Sequence, residues 1–238
     1  MNSSYLIKYN IAARLAGLAI GFAFALLYAQ HQIMTGDQWQ MLHKGYLGAY
    51  QDTWLAFGNA ASAVGNVPGS LSAWIVGGPL LFWDSPWSPM LVLIGLRILS
   101  YLMFDAVIKA VFSQQVRLLF MVAYWLNPWL LYDSQLYNPA YLCFFTALHF
   151  WSAFKLRDKP SFTFSFLHVL AIGGAMQLHY SWPVLAVISC CLLYRRMSHP
   201  NWWGVITAGL VILASLIPYF QAYTASDELS RESDRYIG

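Results

Sequence analysis

The sequence predicts an all-α, polytopic membrane protein, a bundle of about seven transmembrane helices. Three observations lead to this fold class. Hydrophobic residues make up 59% of the 238 positions and charged residues only 10%, against roughly 25% charged in an ordinary soluble domain. Long apolar runs recur along the whole chain. Lysine and arginine are concentrated in every second gap between these runs, which is typical of cytoplasmic loops.

Each apolar run begins and ends at a short polar or turn-forming stretch. Several runs are shorter than the ~20 residues of a perpendicular span, so local thinning of the bilayer would have to accommodate them. The first run is not followed by a small-x-small cleavage site, which favours a retained helix over a signal peptide. We expect spans at Ile11–Ala29, Met90–Phe112, Leu118–Tyr132, Ala140–Phe154, Phe162–Leu178, Trp182–Tyr194 and Trp202–Phe220.

Positive charge predicts the orientation of these spans. The first outer loop carries Lys44 alone, and the outer turns after the third and fifth spans carry no lysine or arginine. The positive-inside rule therefore predicts a cytoplasmic N-terminus and an external C-terminus. If residues 71–83 also spanned, every later orientation would flip, and the charge distribution argues against that. The cytoplasmic charges are Lys8, Arg14, Lys109, Arg117, Lys155, Arg157, Lys159, Arg195 and Arg196.

Residues 30–89 form a first extracytoplasmic loop, and loops of this length usually have a function. From residue 37 to residue 50, apolar side chains recur at three- and four-residue steps. This spacing predicts an amphipathic helix lying in the membrane interface. Thr35 or Asp37 is suited to cap its N-terminus.

The rest of this loop and the end of the chain complete the domain organisation. Residues 58–70 are small and turn-forming, which predicts a flexible loop. Residues 71–83 form an apolar stretch too short to span easily, which predicts a re-entrant or interfacial helix. We divide the chain into a transmembrane domain, residues 1–222, and an extracytoplasmic polar tail, residues 223–238.

Polar side chains from three distant segments fall on the predicted outer side, where they are candidates for a binding or catalytic site. Structural alternatives exist for most of them: helix initiation, contact with lipid headgroups, solvation, or hydrogen bonds to backbone groups. The candidates are Asp37, His43 and Lys44 from the first loop, Asp133 and Asn138 from the next outer turn, and Gln177, His179 and Tyr180 from the third.

Other motifs narrow the function classes. No basic cluster points to nucleic acid, and no P-loop, dinucleotide fingerprint or catalytic triad is present. The three cysteines lie in apolar runs without metal-ligand spacing, so we expect them to pack between helices. Arg97 and Asp105 are eight residues apart in one span, so they share a helix face and need partners.

Several short motifs occur in an order that resembles one family of membrane enzymes. They follow a first membrane helix, an aspartate within a few residues, and an amphipathic helix in the outer loop. The chain is similar to the GT-C membrane glycosyltransferases, in the branch of the protein O-mannosyltransferases and the lipid A aminoarabinose transferase. The motifs are Gly36-Asp37, Gly78-Pro79-Leu80-Leu81, Leu96-Arg97-Ile98-Leu99-Ser100, Asn127-Pro128-Trp129 followed by Ser134, and Ile217-Pro218-Tyr219.

The resemblance implies transfer of a sugar from a polyprenyl-phosphate donor at the extracytoplasmic face, with Asp37 at the catalytic centre. A carboxylate there can act as general base. Lys44, two helical turns further on, could by its spacing face the leaving phosphate. Gln38 stands where many members have a second acidic residue, so no cofactor is certain and a divalent metal stays open.

The resemblance also implies a bacterial inner membrane location and a longer protein. Family members usually continue with more helices and often a soluble outer domain. We therefore expect residue 238 to be a truncation point or the end of a minimal form, with a protein partner or a missing C-terminal part as alternatives. The competing hypothesis is a non-catalytic GT-C-like protein that binds or translocates lipid-linked sugars.

Overall fold

The computed structural model describes residues 3–31, 36–60 and 66–225, with residues 3–10 described by their backbone. Thr35 and the tail from residue 226 onward lie outside the described residues. The chain is mostly helical, as predicted. The elements are α1 (Ser3–Gln30), α2 (Gly36–Gln51), β1 (Phe57–Ala60), β2 (Asn66–Pro68), α3 (Leu71–Phe82), α4 (Trp87–Val111), α5 (Gln114–Leu126), α6 (Pro128–Tyr132), a 3-10 turn (Asn138–Tyr141), α7 (Leu142–Lys155), α8 (Phe162–Met176), α9 (Pro183–Tyr194), α10 (Trp202–Ser215) and α11 (Ile217–Ala225).

Three helical stretches are long and apolar enough to cross a membrane, judged by length and composition. They are Ile11–Gln30, Trp87–Val111 and Trp202–Ala225. Helices α3, α8 and α9 are apolar but shorter. The expected span at 118–132 is divided at Asn127, whose side chain accepts hydrogen bonds from the backbone of α6 while Pro128 begins the new helix.

Helix α2 packs on α3. Its buried side includes Met41, Gly45 and Gly48. The two helices cross closely, because a Cβ atom on Gly45 would lie 2.9 Å from the backbone nitrogen of Gly77. The observed bounds of α2 agree with the predicted amphipathic helix, and its exposed side carries the aromatic residues.

The flexible loop expected at residues 58–70 is partly ordered. β1 and β2 pair as a two-stranded antiparallel ribbon, with Phe57 opposite Pro68 and Ala60 opposite Asn66. The small residues of this stretch give little strand signal in the sequence. The ribbon forms because its neighbours hold it, and an isolated two-stranded ribbon would be marginal in water.

Small residues allow α7, α8 and α10 to pack closely. A Cβ atom on Gly173 would collide with Ile212 of α10, and one on Gly174 would collide with Phe145 of α7. Glycine at such contacts suits a membrane bundle, where van der Waals packing between close backbones drives helix association. These contacts set the position of the turn that follows α8.

The charged side chains inside the bundle have partners. The carboxylate of Asp105 accepts hydrogen bonds from Arg117, with Nε–Oδ1 at 2.6 Å and Nη2–Oδ2 at 2.5 Å, and another from Arg14. Arg97, which shares the buried face of α4, donates to Ser134 Oγ at 2.6 Å and lies 5.1 Å from the ring centroid of Trp125. The partners expected for Arg97 and Asp105 thus come from α1, α5 and the turn after α6.

Asp105→Asn should strongly destabilise the fold, because it leaves two guanidinium groups next to a neutral amide. Breaking a buried ion pair from one side typically costs about 3–5 kcal/mol. The measurement is the midpoint of denaturant unfolding in detergent micelles. Asp158→Asn is the matched control, since its pair with Arg157 has side chains 71% and 51% exposed. Equal midpoint shifts for the two variants would contradict a structural role for the buried cluster.

Candidate functional site

Two hydrogen bonds connect the ribbon with two later turns of the chain. The Tyr180 hydroxyl donates to the carbonyl of Asn66 in β2 at 2.9 Å. Asn138 Nδ2 donates to the carbonyl of Leu178 at 3.0 Å. These bonds join the ribbon, the turn before α7 and the turn after α8, so the three segments that carry the candidate residues are neighbours.

Asp37 lies in the first turn of α2 with an exposed side chain. A carboxylate in this position is favoured by the dipole of the helix N-terminus. Its carbonyl accepts a hydrogen bond from Asn59 Nδ2 at 3.3 Å, which ties the start of α2 to β1. Gln38, the next residue, is buried. The exposed side of α2 therefore presents one carboxylate, that of Asp37, and the Gln38 side chain is turned inward.

Asp133 and Tyr137 form a hydrogen-bonded pair, and the charge of Asp37 acts on Tyr137. The Tyr137 hydroxyl donates a hydrogen bond to Asp133 Oδ1. Burial raises the pKa of Asp133, and the hydrogen bond from Tyr137 and the charge of Arg97 oppose this rise. Burial, the bond to Asp133 and the charges of Asp133 and Asp37 together raise the pKa of Tyr137. The phenol therefore stays protonated and lies within the electrostatic reach of both carboxylates.

Lys44 is turned away from the open side of α2. Its side chain is buried, and Nζ donates to the carbonyls of Phe57, at 3.3 Å, and Gly58. The ammonium also lies 5.0 Å from the ring centroid of Phe57. Burial lowers the pKa of Lys44 to about 8. Seven residues place Asp37 and Lys44 within about 20° of each other around the helix, but the Lys44 side chain is buried under β1 while the Asp37 side chain is exposed.

Gln177 and His179 are also held by neighbours. Gln177 is buried, and its Nε2 donates to Ser215 Oγ at 2.8 Å. Its side chain occupies the space that a Cβ atom on Gly69 would need, where the backbone φ of +91° favours glycine. His179 Nδ1 accepts a hydrogen bond from the backbone nitrogen of Ser181 at 3.1 Å, and burial lowers the pKa of His179. The neutral imidazole therefore carries its proton on Nε2.

An aromatic groove of about 360 Å³ runs between α2 and the segment that joins α3 to α4. The Tyr50 hydroxyl donates to Asp84 Oδ1 at 2.6 Å, and this bond, with burial and the charge of Asp84, raises the pKa of Tyr50 to about 12. Of the predicted site residues, His43 lies here. The groove is lined by Trp39, Leu42, His43, Tyr46, Tyr50, Leu80, Asp84 and Pro86.

A second groove, of about 480 Å³, lies between α3, α8 and α10. Its lining is mostly apolar and includes Trp74 and Ile212, with Gln177 and Ser215 as polar groups. Asp37, Lys44 and His179 line neither this groove nor the aromatic one. A cavity lined by all three would favour the catalytic hypothesis, and these two grooves do not provide it.

Two functional-looking features were missed by the sequence analysis. The sequence gives Asp84 no evident role, because its partner Tyr50 lies 34 residues away. His149 and His168 stack with ring centroids 4.1 Å apart, and the Nε2 atoms of both lie within 2.9 Å of Ser189 Oγ. Both features depend on contacts between residues that are far apart in the sequence, so no local sequence pattern predicts them.

The donor set does not fit a divalent metal. In the described part of the chain, no group of three or more histidine, cysteine, aspartate or glutamate side chains converges. Gln38 is buried beside Asp37, so a second carboxylate is also lacking at that position. We derive no chemical step through a metal.

The arrangement offers one exposed carboxylate, a protonated phenol and a second carboxylate at the same end of the bundle. A carboxylate that is open to solvent can accept a proton from a hydroxyl or an amine. Comparison with protein-family models, with curated proteins and with solved structures found no match. The functional argument therefore depends on the residues and their geometry.

Lys44→Met should remove a pH dependence of stability. The folded pKa of about 8 lies below the ordinary 10.5, so between these values the unfolded chain binds more protons than the folded one. The contribution of Lys44 to stability therefore rises with pH through this window, by about 3 kcal/mol in total, and is constant below it. Unfolding midpoints in detergent from pH 7.5 to pH 10 measure the slope.

Lys159→Met, at an exposed lysine, is the control and should keep the wild-type slope. If Lys44→Met also keeps it, the ammonium is not desolvated in the folded protein.

Proposed function

We propose that this protein is a membrane glycosyltransferase that moves a sugar from a polyprenyl-phosphate donor to an acceptor at the extracytoplasmic face of the bacterial inner membrane. The observation that supports it is the exposed Asp37 carboxylate, in the first turn of the helix that follows the first long apolar helix. The charge of Asp37 also contributes to the raised pKa of Tyr137, which donates a hydrogen bond to Asp133.

The proposal includes seven spans with the N-terminus in the cytoplasm. The contacts of Asp105 support this topology, because they join ends of α1, α4 and α5 that it assigns to the cytoplasmic side. The ribbon, α2 and the turns around Asn138 and His179 then share the opposite side. Helices α5 to α9 would need a locally thinned bilayer, since each is shorter than ~20 residues.

In the proposed reaction, the Asp37 carboxylate takes a proton from the acceptor hydroxyl or amine. The acceptor atom forms a bond to the anomeric carbon as the bond from that carbon to the phosphate oxygen breaks. Polyprenyl phosphate leaves with the bonding electrons, so the anomeric configuration inverts. The proton ends on Asp37, and no oxidant, reductant or metal enters the balance.

The other predicted binding residues take different roles in this proposal. Asp133, His43 and His179 are assigned to substrate contact. Lys44 contributes its positive charge from beneath the ribbon, where its hydrogen bonds hold β1 against α2. Asn138, Gln177 and Tyr180 frame the site, since their hydrogen bonds join separate segments.

A second candidate function is non-catalytic binding or translocation of lipid-linked sugars. Two observations favour it. Asp37, Lys44 and His179 do not line a common groove, and the apolar groove between α3, α8 and α10 is suited to a lipid chain. Two polar groups at this groove, Gln177 and Ser215, would lie near the headgroup of such a lipid.

Asp37→Asn should reduce sugar transfer by at least about 100-fold, the lower end of what a general base contributes. The assay uses the full chain in lipid vesicles with radiolabelled polyprenyl-phosphate sugars. Asp52→Asn is the matched control: it removes an exposed carboxylate just beyond the far end of α2, at a φ of 52° that asparagine tolerates. The control should transfer sugar at the wild-type rate.

Equal transfer by the wild type and Asp37→Asn would remove Asp37 from the mechanism. Saturable binding of the donor without transfer, unchanged by Asp37→Asn, would select the non-catalytic function instead.

A further inference from the structure

The aromatic groove is formed by one face of α2. Trp39, His43, Tyr46 and Tyr50 follow one another at four-, three- and four-residue steps, so they form one stripe along the helix. Their side chains are exposed, and Leu80 of α3 closes one side of the groove that they line. The rings of Tyr46 and Tyr50 are 4.9 Å apart and tilted by 47°. The two rings present neighbouring faces to the same space.

The groove lies at the level where a candidate span begins. Asp84 and Pro86 line it, and the apolar helix Trp87–Val111 starts one residue later. The end of α3 beside it exposes Phe82, at 93%, and Trp83, at 50%. Exposed large apolar residues next to the start of a span indicate contact with lipid at the headgroup boundary.

The chemistry of the groove is that of a cation site. Aromatic faces carry negative quadrupole charge and attract ammonium groups. Asp84 adds a formal negative charge, and Oδ1 is oriented by the Tyr50 hydroxyl at 2.6 Å. Among the described lining residues there is no lysine or arginine. A small cation with an attached apolar chain complements these features.

We propose that this groove binds the ammonium headgroup of a zwitterionic membrane lipid of the phosphatidylethanolamine type. The ammonium lies against the Asp84 carboxylate and the faces of Tyr46 and Tyr50, and the lipid chains extend along the exposed end of α3. This site is separate from Asp37, which does not line the groove. It anchors α2 in the interface through a specific lipid.

The test uses the full-length chain reconstituted in vesicles of equal parts dioleoyl phosphatidylethanolamine and dioleoyl phosphatidylglycerol. After mild detergent extraction, native mass spectrometry quantifies the lipids that remain bound. The wild type should retain phosphatidylethanolamine in preference to phosphatidylglycerol. Asp84→Asn keeps an acceptor for Tyr50 but removes the charge, and should reduce the preference about tenfold, as loss of one charge-assisted contact does.

Tyr46→Leu tests the aromatic face in a variant that keeps Asp84, and should also lower the preference. Asp52→Asn removes an exposed carboxylate outside the groove and should leave it unchanged. The proposal is overturned if the wild type shows no preference, if Asp84→Asn behaves like Asp52→Asn, or if a folded Tyr46→Leu retains the lipid as the wild type does. Retention of free amino sugars but not of the lipid would also overturn it.

Discussion

The shared carboxylate of Asp105 is the constraint around which the bundle is arranged. Apolar helices in lipid gain little from contact with one another beyond close packing, because lipid tails are equally apolar. A buried charge restricts the arrangement far more, since it must find its partners. Asp105 forms ion pairs with Arg14 of α1 and Arg117 of α5. One residue on α4 thereby sets the relative positions of three helices.

Arg97 makes a second set of polar contacts, nearer the N-terminal end of α4. Its hydrogen bond to Ser134 and its contact with the ring of Trp125 hold the segment around Asp133 against α4. That segment carries Asp133 and Tyr137, and the charge of Asp37 acts on Tyr137. The position of the candidate site thus follows from polar contacts of a helix that contributes no residue to it.

The helices were largely predictable, because hydrophobic periodicity and turn residues are local signals. The bounds of α2 agree with the sequence within one residue at each end. The ribbon was not predictable, since residues 57–60 and 66–68 owe their order to Lys44, Asn59 and Tyr180. The division at Asn127 was readable in retrospect from the Asn-Pro pair.

The site residues also fall into two groups: those whose environment the sequence predicts and those whose environment depends on long-range contacts. The exposed position of Asp37 follows from its place in the first turn of an amphipathic helix, which the sequence reveals. The burial of Lys44 depends on a ribbon folding over it, and helical spacing alone contains no information about that cover. The groove at Asp84 required α2 and α3 to cross closely through Gly45 and Gly77, a contact between segments about thirty residues apart.

The hydrogen bond from Tyr180 to Asn66 has a consequence for biosynthesis. The two residues are 114 positions apart, which at ordinary translation rates is a delay on the order of ten seconds. During that time α2 and the ribbon can meet through Lys44, but the surface that later receives α8 stays open. The ribbon can therefore meet α2 early, but it gains its contact with Tyr180 only after the turn that follows α8 has been synthesised.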